Sequence, residues 1–254
     1  MIECGMRNPE CGMHAAVVVL ALALGPAALA AQAAPISDNS FLVEEAYNQD
    51  RGVVQHISAL LRARDGAWLF TFTQEWPFFS SRHQLGFTVP LEGGAGGDAR
   101  VSDLFVNYRY QLVGPDGAVA AAPRLSLLLP TGRAADGAGA GAWGVQVNLP
   151  VSLRLGDRAV THWNAGATLL SSADTYNVGA SAIWLARPRF NVMLEASWIR
   201  AAPDAEQLLV MPGVRWAHDF RNGLQVVPGV GYAFDVGSSG GDALVMYLSF
   251  EHGF

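Results

Sequence analysis

From about residue 52 to its last residue, this chain alternates apolar and polar side chains, stretch after stretch, with turn residues between. Period-2 alternation puts one chemical character on each face of an extended strand. The stretch 143–155 is the clearest: Trp143, Val145, Val147, Leu149, Val151, Leu153 and Leu155 share one face, and Gly144, Gln146, Asn148, Pro150, Ser152 and Arg154 share the other. Leu104, Val106, Tyr108, Tyr110 and Leu112 alternate with Asp103, Phe105, Asn107, Arg109 and Gln111 in the same way. So do Phe190, Val192, Leu194, Ala196 and Trp198 with Asn191, Met193, Glu195 and Ser197. Further segments at 83–91, 121–130, 160–170, 175–185, 205–217, 222–234 and 243–254, with two less regular ones at 52–61 and 67–76, bring the expected count to about twelve strands. Many run to roughly ten residues, the length a tilted strand needs to cross a bilayer and longer than the usual soluble strand.

Composition points the same way. Only 15% of residues are charged, against about a quarter in a soluble domain. Beyond residue 34 no apolar run is long enough for a spanning helix. In lipid, only helices and closed barrels satisfy every backbone group. The expectation is therefore an all-β fold, a transmembrane antiparallel up-and-down β-barrel in the bacterial outer membrane. Its partners would be outer-membrane lipids, lipopolysaccharide and the barrel-assembly machinery. Strand charges fall almost wholly on the polar face, and Trp143, Trp163, Tyr176, Trp184, Trp198, Trp216 and Tyr232 sit near strand ends on the apolar face, as interfacial girdles require. The last strand carries Leu244, Met246, Leu248, Phe250 and Phe254 on one face and ends at the terminus. Phe250 and Phe254 thus form a candidate barrel-assembly signal, with His252 departing from its apolar pattern.

The segment 1–33 reads as a cleaved signal peptide: an apolar core at 15–24, a Gly25-Pro26 break, and small-x-small patterns ending at Ala30 and Ala33. Both cysteines, Cys4 and Cys11, lie in it, so no disulfide or thiolate metal site is expected in the mature chain, and no cofactor. The basic residues are all arginine, the net charge is −6, and no basic stripe marks a nucleic-acid binder. With both chain ends on the periplasmic side, the Gly-rich connections 92–102, 131–142 and 235–242 fall outside and read as mobile surface loops, while the tight ones at 156–159, 186–188 and 218–221 fall inside.

The run from Asn39 to Gln49 (NSFLVEEAYNQ), followed by Gly52-Val53-Val54-Gln55-His56, resembles the outer-membrane family named after the MetA pathway of phenol degradation. Similar likeness runs through 103–110 and through Leu129-Pro130-Thr131-Gly132. The resemblance implies a barrel that admits small hydrophobic or aromatic compounds.

Two groups of residues are candidates for function. Asp103, Arg109, Arg124, Arg154, His162, Glu195, Arg215 and Glu251 should face the lumen, either as a selectivity ladder or as ion pairs that fill a narrow interior. The segment 34–51, ahead of a barrel over 52–254, is expected as a periplasmic tail or a lumen plug. It could form a short helix capped by Asp38 or Ser40, with Phe41, Glu44, Glu45, Tyr47 and, beyond it, His56 as plug residues. A hydrolase could be assembled from His56, Ser152, His162 and Asp174, but no nucleophile elbow or metal-spaced His/Glu cluster supports it, so an enzyme is not expected. The reading is a passive channel for a small-molecule solute, with a closed structural barrel as alternative and a lipid-modifying enzyme as a remote second.

Overall fold

The computed structural model describes residues 36–254 apart from 134, 136, 172–173, 202–204, 222–223 and 238–240. The expected signal peptide and both cysteines lie outside the described residues.

Among the described residues, twelve long strands close one antiparallel barrel. They are β1 (Val53–Ala63), β2 (Trp68–Phe78), β3 (Ser80–Gly93), β4 (Leu104–Tyr110), β5 (Arg124–Leu129), β6 (Gly144–Arg154), β7 (Ala159–Leu170), β8 (Thr175–Arg187), β9 (Phe190–Ala201), β10 (Ala205–Trp216), β11 (Gln225–Asp235) and β12 (Ala243–Gly253). Each pairs with its sequence neighbours, and β1 pairs with β12 from Val53↔Gly253 to Ala63↔Ala243, which removes every free edge. Three short ladders, Arg100–Val101, Val119–Ala121 and His218–Asp219, extend the wall at its rims. No helix among the described residues is long and apolar enough to cross a membrane.

The barrel is polar inside and apolar outside. On β6, Val145, Val147 and Leu149 are exposed, while Asn148, Pro150 and Ser152 are buried. On neighbouring strands Val106, Leu125, Leu127, Val178 and Leu194 are likewise exposed, and Asn107, Ser126, Ser181 and Glu195 are buried. Burying the polar face and exposing the apolar one is the reverse of a soluble β-protein, and it is stable only where the outside is lipid. Trp143 and Tyr176 stand exposed toward one end of this surface, and Trp184 and Trp216 toward the other.

Connection length is less one-sided than expected. The stretch 111–123 joins β4 to β5 on the same side as the tight turns, yet it is long. It folds back so that Val119–Ala121 pairs with β6, and Ala120 and Ala122 pack against Ala46 and Tyr47. This longer connection thus packs on the chain's own N-terminal segment. The loop after β5 is also tied down. Asp103 accepts backbone N–H bonds from Gly132 (2.9 Å) and Ala140 (2.6 Å), and Gly139, at φ +74°, lies so close that a Cβ would meet the Asp103 carboxylate. Asp103 thus holds a loop and does not stand free in the lumen.

Candidate functional site

Residues 36–50 lie inside the barrel. Ile36 N–H bonds to Pro188 O at one rim, the chain rises to mid-height at Phe41–Glu45, and Asn48 returns to Ser81 at the foot of β3, so both ends of this loop sit at the rim of the tight turns. The expected helix does not form. Its N–H groups are taken by side chains of the wall, which leaves none for i−4 carbonyls. Glu195 on β9 accepts from Phe41 (2.7 Å), Leu42 (2.9 Å) and Val43 (3.1 Å). Asn164 on β7 accepts from Glu44 N–H and donates to Glu44 O. Ser152 accepts from Ala46, Gln111 from Asn48, and Gln84 from Gln49. The carbonyls are served as well: Arg215 donates to Asn39 O (2.5 Å), Arg109 to Tyr47 O (2.8 Å) and Gln111 to Ala46 O (2.6 Å).

One apolar contact fixes the depth of insertion. Phe41 lies against Gly213, Gly229 and Gly231, where a Cβ would come within 2.6, 2.6 and 3.1 Å of its ring, and its centroid is 5.3 Å from that of Tyr247. Phe41 and Leu42 pack on the buried cluster of Leu209, Met211, Ala233 and Val245. The glycines on β10 and β11 hollow the wall to the thickness of an aromatic ring.

Through Phe41–Ala46 the segment packs mainly on β6–β12 and leaves space beside β1–β3. A cavity of about 150 Å³ remains there, lined by Ile57, Ala59, Thr71, Thr73 and Thr88 of the wall and by Phe41–Glu45 of the segment. At its edge Arg124 pairs with Glu44 at 2.6 Å, and Arg109 lies 3.6 Å from Glu44 and 3.5 Å from Glu75. A second cavity, about 400 Å³, opens at the same rim among Ile36, Arg154, Asp157, Arg158 and Arg187.

Of the lumen candidates, Arg109, Arg124, His162, Glu195 and Arg215 all face inward, and all but Arg124 are fully buried. They make no continuous ladder, because Glu195, His162 and Arg215 are spent on the segment's backbone. Arg154 has the inward register but stands exposed at the mouth. Glu251 is exposed at the same rim and accepts from Gln55. Among the plug candidates, Phe41, Glu44, Glu45 and Tyr47 sit in the segment as described, but His56 does not. It lies on the outward face of β1, since Gln55 and Ile57 take the inward positions, and it stacks on Phe250 at 4.6 Å. Phe254 is exposed, and its N–H bonds to Gly52 O. Charge as a guide passes over Gln84, Gln111, Asn164 and Ser181, and the irregular alternation of 67–76 hides Glu75. The readable signal was inward-facing amides and hydroxyls on successive strands, which an extended backbone needs as partners.

The hydrolase residues come together only in part. His162 Nε2 lies 2.7 Å from Asp38 O; a carbonyl only accepts, so His162 donates there and Ser152 Oγ–H donates to Nδ1 at 2.7 Å. Both side chains are fully buried beneath the segment, and Asp174 lies at the far end of β7 and β8. The pair anchors residues 38 and 46, with no space for a substrate. Among the described residues, no three or more His, Cys, Asp or Glu side chains gather as a metal centre.

Glu45 is buried with Asn39 donating to it at 2.8 Å, and burial pushes its carboxyl up to about 7, with Arg109 opposing and Glu75 and Glu44 reinforcing the rise. Its docked form therefore holds a proton that a free carboxyl would release between its ordinary value of 4.5 and about 7. Docking is fully favoured below that window and weakens as pH rises through it, by about 3 kcal/mol over the whole range. Protease accessibility of residues 36–50 in the folded protein is expected to be lower at pH 5 than at pH 8, and Glu45→Gln should flatten the difference.

No family model and no curated protein matches this chain by sequence. Solved structures match it in shape. An outer-membrane channel from Pseudomonas putida F1 superposes with a TM-score of 0.58 at 16% identity, over 82% of this chain and 98% of that one. The KdgM porin superposes with a TM-score of 0.54 at 8% identity, over 80% of this chain and 99% of that one. In fold, the chain is a twelve-stranded β-barrel of the outer-membrane type.

Proposed function

We propose that this protein is a passive outer-membrane channel for small molecules, with its lumen narrowed by its own residues 36–50. The observation that carries this is the open space left beside the segment, where Thr71, Thr73 and Thr88 face Glu44 across about 150 Å³ and Arg109 and Arg124 stand at the edge. The two superposed structures, a channel and a porin, agree with this reading, as does the MetA-pathway likeness around Asn39 to Gln49. Cavity walls that join Ile57, Ala59, Phe41 and Leu42 to threonines suit a small solute with apolar surface.

The Arg124–Glu44 pair would set ion preference at the narrowest part. Arg124→Gln removes the cation and leaves Glu44 with the more distant Arg109. In a planar bilayer with a salt gradient, the reversal potential of the variant is expected to move toward cation selectivity. An unmoved potential, with current still flowing, would place the conducting path elsewhere.

A second reading, a closed structural barrel, draws on the density of bonds holding the segment. It predicts no current from the intact chain and none after the segment is removed.

A further inference from the structure

The outward face of the closing seam carries two histidines. His56 on β1 and His252 on β12 bring their Nε2 atoms to 3.0 Å, with ring centroids 5.1 Å apart and planes 22° from parallel. Neither serves the lumen: His252 interrupts the apolar series of Leu244, Met246, Leu248, Phe250 and Phe254, and His56, buried between Phe72 and Phe250, stands between Val54 and Ser58 on the outward face of β1. A polar group in such a place is costly unless it is partnered.

Their hydrogen bonds define what they offer. His252 Nδ1 lies 2.9 Å from Gly253 O, and a carbonyl only accepts, so Nδ1 carries the proton and Nε2 keeps its lone pair turned toward His56. A second ring nitrogen donated to a backbone carbonyl is the support that metal-binding imidazoles typically have. Phe250 and Phe72 lie along the His56 ring at 4.6 and 6.0 Å and hold its plane. Two cis nitrogens bound to one ion at about 2.0–2.1 Å stand roughly 2.9 Å apart in square-planar geometry and roughly 3.3 Å apart in tetrahedral geometry, within a few tenths of an ångström of the 3.0 Å already present.

We propose that His56 and His252 form a two-nitrogen site for a divalent first-row transition ion that prefers imidazole, Cu(II), Ni(II) or Zn(II). Binding needs only that His56 move its proton from Nε2 to Nδ1. Both Nε2 lone pairs then reach the ion, no proton is lost, and water reaching the rim on the part-exposed His252 side completes the coordination. Because the ligands sit on the first and last strands, the ion staples the barrel's closure near its periplasmic rim.

The test uses untagged protein refolded into detergent and titrated with Cu(II), followed by electron paramagnetic resonance, and with Zn(II), followed by thermal unfolding. Expected are one Cu(II) per barrel with couplings from two imidazole nitrogens, and a melting temperature that rises with Zn(II). Both signals are expected to be lost in His252→Phe, which restores the apolar alternation of β12 and so keeps the fold, and in His56→Phe. They should persist in His83→Phe and His218→Phe, whose rings lie elsewhere. Absence of stoichiometric binding in the intact chain, or the same spectrum and shift in His252→Phe, would overturn the proposal.

Discussion

A chain lacking residues 36–50 should conduct in steps several-fold larger than the intact protein in a planar bilayer. The wall does not depend on the segment, because twelve strands close by their own ladders and β1 meets β12 over eleven register pairs. A barrel of this size lies between the eight-stranded kind, filled by its own side chains, and the open porins, so an unoccupied interior would pass water and ions freely. What the deletion exposes is mostly polar: Glu195, Asn164, Ser152, Gln111 and Gln84 exchange backbone partners for water. Steps of unchanged size would mean that the segment leaves the lumen in the membrane.

The largest effect of a single substitution is expected at Glu195. Its carboxylate takes three consecutive N–H groups at a site where it is 1% exposed, and nothing else on β9 can replace it. Hydrogen bonds to a charged acceptor contribute roughly 1.5–3 kcal/mol each and are not additive, so Glu195→Ala should weaken docking of the segment by at least about 3 kcal/mol. The expected result is rapid trimming of the N-terminus by a protease that leaves the intact protein untouched, together with long open events in single-channel records. Glu195→Gln, which keeps one acceptor oxygen, should fall between. A protected N-terminus in Glu195→Ala would show that Phe41 and its glycine-lined recess suffice to hold the segment.

The barrel was legible in the sequence because strand periodicity is local: each of the twelve segments announces its own two faces, and an outside of lipid makes the contrast sharp. Parity also placed Arg109, Arg124, His162, Glu195 and Arg215 indoors. The form of residues 36–50 was not legible, because its acceptors lie on strands up to about 150 residues away and nothing within the segment excludes a helix. Charges were an incomplete guide to the lumen, since the extended backbone is held by Asn164, Gln84 and Ser152 as well as by Glu195 and Arg215. His56 was drawn indoors by its closeness to the segment's motif, whereas counting alternate residues from Gln55 turns it outward.

The most direct test is thiol access across the lumen. With Cys4 and Cys11 in the expected leader, the mature chain has no other cysteine, so Thr73→Cys in the open cavity and Ser181→Cys beneath the segment can each be introduced alone. A small water-soluble thiol reagent is expected to block current through Thr73→Cys and to leave Ser181→Cys unmodified until residues 36–50 are removed. Equal modification of both positions in the intact chain would contradict a lumen occupied on one side, and a chain that neither conducts nor reacts at Thr73→Cys would contradict the channel itself.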